Sequence, residues 1–175
     1  MMEQEQRNLL TGLVEMDETY VGGKRRPGYT HRHSKKKYHI TKKTPVIGMI
    51  ERGGKVKAKV FRKRDINFRK LSMMIRENVD TKNALLITDE ANYYKKMQHL
   101  LPHKTINHSI WYADGWIHTN SIESFWALLK RGIIGQFHKV SVRHLARYIA
   151  EFSYRFNHRD HKDIFALTIQ RGIGV

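Results

Sequence analysis

The order of strand-like and helix-like segments constrains the fold of this chain more than any other feature. Three β-rich segments come first, at residues 13–21, 44–51 and 55–61. The pair Gly53-Gly54 separates the second from the third, which is typical of a hairpin. We therefore expect three antiparallel strands before the first helix.

Helical and strand-like segments alternate after these strands. Apolar residues recur at helical spacing over residues 67–78, and the short apolar run 84–88 predicts a buried strand. The pattern then predicts a helix over 92–101, a short strand over 104–107, a helix over 120–132 that ends at Gly132, and a helix over 141–157. Together these segments predict an α/β fold with helices around a mixed sheet.

The composition points to nucleic acid as the partner. With 175 residues, the chain has the length of one domain, which we assign to residues 1–175. Lys and Arg number 33 against 16 Asp and Glu, a net charge of +17, and such a field attracts polyanions. A ribosomal protein or a membrane-surface protein is the alternative on charge alone. The absence of cysteine excludes disulfides and cysteine-ligated zinc within this chain.

A strongly basic stretch covers residues 24–43 and contains no acid. Because Pro27-Gly28 lies inside it, we interpret it as a loop or hairpin insert. It could follow DNA phosphates, and a solvated loop is the alternative. The residues expected to bind nucleic acid here are Lys24, Arg25, Arg26, Arg32, Lys35, Lys36 and Lys37.

Three carboxylates stand out because this chain has few acids. Asp17 lies inside the first strand segment, Asp89 ends the 84–88 strand, and Glu123 lies in the first turn of the 120–132 helix. Converging carboxylates are the ligands that hard divalent cations prefer. Two such cations, about 4 Å apart, can activate a water and stabilise the leaving oxygen of a phosphodiester.

Each of these residues also has a simpler interpretation. Asp17 could be a strand-edge charge, Asp89 could begin a turn, and Glu123 could complete a capping box with Asn120 as the N-cap. Lys130 follows Glu123 by seven residues, nearly two helical turns, so both project from one helix face. It could hold a DNA phosphate there, or it could be a solvated lysine.

Three blocks of sequence resemble bacterial insertion-sequence transposases of the DDE superfamily, in particular the ISXO-like group, also called the insertion-sequence fifteen-ninety-five family. The blocks are VEMDETYVGGK at 14–24, LLITDEANYY at 85–94 and HTNSIESFWALLKRGIIGQFHKVSVRHLARYIAEFSYRFNHR at 118–159. They run in the family order and cover most of the chain. The resemblance implies a ribonuclease-H-like fold, with three antiparallel strands followed by parallel strands.

The resemblance also implies roles for individual residues. Asp17 and Asp89 would be the first two metal ligands, Glu123 the third acid and Lys130 the trailing basic residue. Some members have asparagine as the third ligand, which makes Asn120 the alternative to Glu123, although a carboxylate binds a hard cation better. Lys130 and Arg131 are expected to contact nucleic acid. The expected cofactor is Mg²⁺, or Mn²⁺, with two ions in the site.

The function implied by the resemblance is DNA transposition. Water attacks a phosphodiester at the end of the element, and the freed 3′-hydroxyl then attacks target DNA. Longer members carry an N-terminal zinc ribbon and DNA-binding segment, which we expect to be absent here. An inactive, truncated DNA-binding remnant is therefore the alternative, and another ribonuclease-H-like nuclease is a third possibility.

The resemblance also sets the expected partners and location. We expect element-end and target DNA as partners, a homo-oligomer on DNA, no membrane partner, and a cytoplasmic, nucleoid-associated location. No apolar run approaches the roughly 18 residues of a transmembrane helix.

Overall fold

The structure is a computed structural model that describes residues 9–22, 43–106 and 117–173. The basic residues that we predicted to bind nucleic acid between 24 and 37 lie outside these ranges. The described part of the chain contains no helix long and apolar enough to cross a membrane.

Five strands form one mixed sheet in the order β3-β2-β1-β4-β5. The first three strands are antiparallel neighbours, whereas β4 is parallel to both β1 and β5. This arrangement confirms the predicted ribonuclease-H-like topology, including the hairpin. The strands are β1 (Leu10–Val21), β2 (Thr44–Glu51), β3 (Val56–Val60), β4 (Val79–Asp89) and β5 (His103–Ile106).

Helices cover both faces of the sheet. Alternate side chains of β2 separate into two apolar cores, because successive residues of a strand point to opposite faces. Ile47 and Met49 pack with α1 on one face, and Val46 and Ile50 pack with α2 and α3 on the other. The helices are α1 (Phe68–Asn78), α2 (Asn120–Gln136), α3 (Val142–Asn157) and α4 (Ile164–Ile173).

The helix predicted over residues 92–101 is wrong. This segment forms turns and one short 3₁₀ helix, Met97–His99, with hydrogen bonds such as Met97 N–H to Tyr94 C=O at 2.8 Å. Tyr94 and Met97 are both fully buried against the sheet. Tyr94 and Met97 are three residues apart, and the three-residue repeat of this segment directs both side chains towards the sheet. Strand β5 begins directly after Pro102.

Gly132 does not end α2, contrary to the prediction. The helix runs on to Gln136, and a Cβ atom at position 132 would lie 2.3 Å from Cζ of Phe152 in α3. The glycine therefore permits α2 and α3 to approach closely. In the sequence, a glycine with this packing role cannot be distinguished from one that ends a helix.

Candidate active site

The strand register brings Asp17 level with Asp89. In the parallel pair of β1 and β4, Leu13 lies opposite Leu85, an offset of 85 − 13 = 72. The same offset separates Asp17 from Asp89, since 89 − 17 = 72. Two acids far apart in the sequence therefore occupy neighbouring positions on adjacent strands.

Glu18 completes an acidic group with these two residues. One carboxylate oxygen from each of Asp17, Glu18 and Asp89 lies within 4.8 Å of the other two, and all three residues are partly buried. Among the described residues this is the one group of acids and histidines close enough to hold a metal ion. Sequence analysis missed Glu18, although its position directly after Asp17 was a visible signal.

The electrostatics of this group favour a cation. Burial, together with the neighbouring charges of Glu18 and Asp89, raises the pKa of Asp17 from 3.8 to about 7, although hydrogen bonds from the Glu18 backbone and Trp126 act in the opposite direction. A divalent ion would relieve this repulsion and would favour the ionised carboxylate. Three hard oxygen donors at this spacing suit Mg²⁺ or Mn²⁺.

Two tyrosines hold Glu18 from the segment that follows β4. The hydroxyls of Tyr93 and Tyr94 both donate to the Glu18 carboxylate, the second at 3.0 Å. Burial, together with the negative charge of Glu18, raises the pKa of both phenols, so they remain protonated donors at neutral pH. Asp89 in turn accepts a hydrogen bond from the Ala91 backbone at 3.1 Å. These contacts hold the end of β4 against β1.

Trp126 of α2 contacts Asp17 directly. Its indole Nε1 donates to Asp17 Oδ2 at 3.1 Å. The ring lies over Gly48, which pairs with Asp17 across β1 and β2, and a Cβ atom at Gly48 would lie 2.5 Å from Cη2 of Trp126. Trp126 is buried in the core, and its role as a donor to the acidic site was not predicted from the sequence.

Glu15 lies two residues before Asp17 on the same face of β1, but hydrogen-bond donors and a positive charge surround it, whereas Asp17 faces two other carboxylates. Its side chain is fully buried and accepts hydrogen bonds from Arg52, from the Ser121 hydroxyl and from the Ser121 and Ile122 backbones, at 2.8–3.0 Å. Sequence analysis did not select this residue, and a glutamate inside an apolar strand was the signal that it carried.

The predicted residues of α2 lie outside the group of three carboxylates. Glu123 is exposed in the first turn, where its carboxylate accepts a hydrogen bond from Thr119 Oγ1 at 3.1 Å. Asn120 is the first helical residue and is exposed. Thr119 is the N-cap, so the capping box with Asn120 as the N-cap is wrong.

Lys130 and Arg131 are both exposed on α2. Lys130 lines a cavity of about 510 Å³ together with Tyr20, Lys43, His138 and Lys139. A second cavity of about 540 Å³, between β3 and α1, contains none of the three clustered carboxylates. The cationic cavity therefore lies at the end of β1 that follows Asp17.

The mixed sheet, with acids on its neighbouring strands β1 and β4, defines a fold of the ribonuclease-H-like class. A family model of the ISXO2-like transposase domain matches residues 9–157, and the chain belongs to this family of DDE transposases. The family resemblance predicted from the three sequence blocks is thus confirmed. No curated protein sequence matches the chain.

The chain is similar to solved structures at low sequence identity. A chain of the simian T-cell lymphotropic virus intasome, solved in complex with the PP2A regulatory subunit B56 gamma, is 14% identical with a TM-score of 0.52, covering 86% of this chain and 49% of that one. The Mos1 strand transfer complex gives 12% identity and a TM-score of 0.47, covering 90% of this chain and 53% of that one. This chain spans about half the length of these structures.

Proposed function

We propose that this chain is the catalytic domain of a DDE transposase, which cleaves and joins DNA strands at the ends of an insertion sequence. The observation that carries the proposal is the meeting of the Asp17, Glu18 and Asp89 carboxylates on the adjacent strands β1 and β4. Membership of the transposase family supports DNA as the substrate.

Asp17 and Asp89 are the proposed ligands of the divalent cations, with Glu123 as the third ligand and Asn120 as its alternative. Bound Mg²⁺ or Mn²⁺ ions would supply an activated water and would stabilise the leaving oxygen. Asp17 must be ionised to act as a ligand, and its hydrogen bond from Trp126 favours that form. Glu18, whose carboxylate accepts hydrogen bonds from the two phenols, adds negative charge beside Asp17 and Asp89.

DNA binding is proposed to rest on the cationic surface next to this site. The net charge is +17, and Lys130 and Arg131 are exposed on the helix that begins beside the site. The basic residues between 24 and 37 are proposed to add phosphate contacts. Phosphate contacts of this kind give affinity that falls steeply with salt concentration.

A nicking and strand-transfer assay on supercoiled DNA tests the proposal. Wild type, Asp89→Asn and the matched control Asp160→Asn are compared with Mg²⁺ or Mn²⁺; Asp160 is an exposed acid beyond the end of α3. We expect cleavage by wild type and by the control, and none by Asp89→Asn, with nearly unchanged DNA binding in all three. Equal loss of binding and cleavage in Asp89→Asn would contradict the site assignment.

The same assay decides between the active enzyme and the inactive remnant. DNA binding without cleavage by wild type with either metal would favour a DNA-binding remnant. The variants Glu123→Gln and Asn120→Ala test which residue is the third ligand. Loss of the side chain that binds the cation should raise the metal concentration needed for half-maximal cleavage, and loss of the other should not.

A further inference from the structure

Glu15 is a fully buried carboxylate in the middle of a strand, a position that is costly unless its charge is fully paired. Its partners come from two distant parts of the chain. Arg52, which directly follows β2, donates its Nε–H at 2.9 Å. The other donors are the first residues of α2, which are more than 100 positions away in the sequence.

The contacts of Glu15 replace the usual N-cap of α2. The first N–H groups of a helix lack partners within the helix. Thr119 is the N-cap residue, but its side chain makes no capping hydrogen bond. Instead, Glu15 Oε2 accepts from Ser121 N–H at 2.8 Å and from Ile122 N–H at 3.0 Å. A carboxylate at this end also interacts favourably with the helix dipole.

Arg52 extends the same network to the segment that precedes α2. Its Nη2 donates to the His118 carbonyl at 3.0 Å and lies 3.2 Å from His118 Nδ1. The amino end of α2 is thus tied to β1 through Glu15 and to the end of β2 through Arg52. Because Arg52 also donates to Glu15, the two ties meet at one buried carboxylate.

We propose that Glu15 is a positioning residue that sets the first turn of α2, and with it the metal ligand of that helix, against Asp17. The proposal rests on the proposed function. Asp17 lies two residues after Glu15 on the same strand face, and Glu123 lies one residue after Ile122, whose N–H Glu15 holds. One strand therefore carries one proposed metal ligand and the group that holds the first turn of the helix on which the other lies.

The test compares Glu15→Gln with Ser121→Ala and the control Glu51→Gln. Glu51 is a partly exposed acid that accepts one hydroxyl hydrogen bond, from Thr11 at 2.8 Å. Mn²⁺ binding without DNA is followed by electron paramagnetic resonance, below the unfolding transition of each variant. Amide exchange at Ser121 and Ile122 is followed in parallel, and neither measurement depends on activity.

We expect Glu15→Gln to raise the half-saturating Mn²⁺ concentration by about tenfold, as changes to groups that orient metal ligands commonly do. Exchange at the two amides should be faster in Glu15→Gln. Ser121→Ala, which removes only one of the hydrogen bonds to Glu15, should show a smaller shift in the Mn²⁺ midpoint, and Glu51→Gln should show none. Excess Mn²⁺ should restore binding to Glu15→Gln, because the proposed metal ligands themselves are unchanged.

An unchanged Mn²⁺ midpoint in Glu15→Gln would overturn the proposal, even if the variant unfolds at a lower temperature, because the carboxylate would then serve stability alone. The absence of Mn²⁺ binding in wild type would overturn it as well. If wild type binds Mn²⁺ with the expected ranking of variants but does not cleave DNA, the proposed function fails while the positioning role stands.

Discussion

Glu15 and Asp17 are two carboxylates on the same face of the same strand, and the fold treats them in opposite ways. Glu15 has a guanidinium and three hydrogen-bond donors from α2 around a fully buried side chain. Asp17 has one indole donor and faces the carboxylates of Glu18 and Asp89. Neighbours, and not residue type or strand position, separate a structural acid from a candidate metal ligand.

The unfavourable electrostatics lie at Asp17 and not at Glu15. The charge of Glu15 is neutralised within the fold, so Glu15 should contribute to stability. The pKa of Asp17 is raised to about 7, so the fold disfavours its ionised form until a cation arrives. Substitutions at the two positions should therefore have opposite effects on stability.

Asp17→Asn should have the largest effect of the substitutions that test the difference between Asp17 and Glu15. We expect a loss of DNA cleavage of about a thousandfold or more, since even changes to groups that only orient metal ligands cost about 10–100-fold. The metal-free variant should be more stable than wild type at pH 8 by on the order of 2 kcal/mol, because a buried charge that also faces two like charges is removed. Cleavage assays and thermal unfolding with chelator measure the two effects. A lower unfolding temperature for Asp17→Asn than for wild type would contradict the proposed contrast between Asp17 and Glu15.

Glu15→Gln should change stability in the other direction. Loss of one partner leaves Arg52 poorly compensated, and we expect a decrease in the free energy of unfolding of about 3 kcal/mol. Urea denaturation measures it. The double variant Glu15→Gln/Arg52→Met serves as the control, because removal of both charges should recover part of the loss; a double variant less stable than the sum of the two single changes would contradict the ion-pair explanation.

The pH dependence of metal binding should follow Asp17. Its pKa in the fold, about 7, lies above the ordinary value of 3.8. Below pH 7 a proton competes with the cation, so the apparent metal affinity should fall about tenfold per pH unit. The bound proton also stabilises the metal-free fold at low pH, and this stabilisation is lost as the pH rises through about 7. Calorimetric Mn²⁺ titrations from pH 5.5 to 8.5 measure the effect, and a flat profile would count against it.

Gly48→Ala should give the smallest effect. The new methyl group would meet the Trp126 ring at 2.5 Å and push its indole from Asp17, at a cost of about 1 kcal/mol in stability. The pH midpoint of metal binding should move upwards because a hydrogen bond to the ionised carboxylate weakens. Gly135→Ala is the matched control, since its Cβ would meet open space on α2. The prediction fails if both alanine variants leave the midpoint unchanged.

Much of the fold could be predicted from local patterns. The hairpin at Gly53-Gly54, the amphipathic α3 and the apolar β4 were predicted because their hydrophobic periodicity is read over a few residues. The segment 92–101 was mispredicted because the burial of Tyr94 and Met97 overrides the local helical pattern. Gly132 was mispredicted because its reason, the Phe152 ring, lies on another helix.

The family and the class of fold could be predicted from the sequence alone, and so could Asp17 and Asp89 as candidate metal ligands, because motifs and periodicities are properties of short stretches of chain. Two features are visible only in the tertiary structure: the Glu18 carboxylate lies beside those of Asp17 and Asp89, and Glu15 caps α2. The physical reason is that the state of a carboxylate depends on the donors and charges within a few ångströms of it. For Glu15 those donors come from residues 106 and 107 positions away, a distance that no local pattern spans.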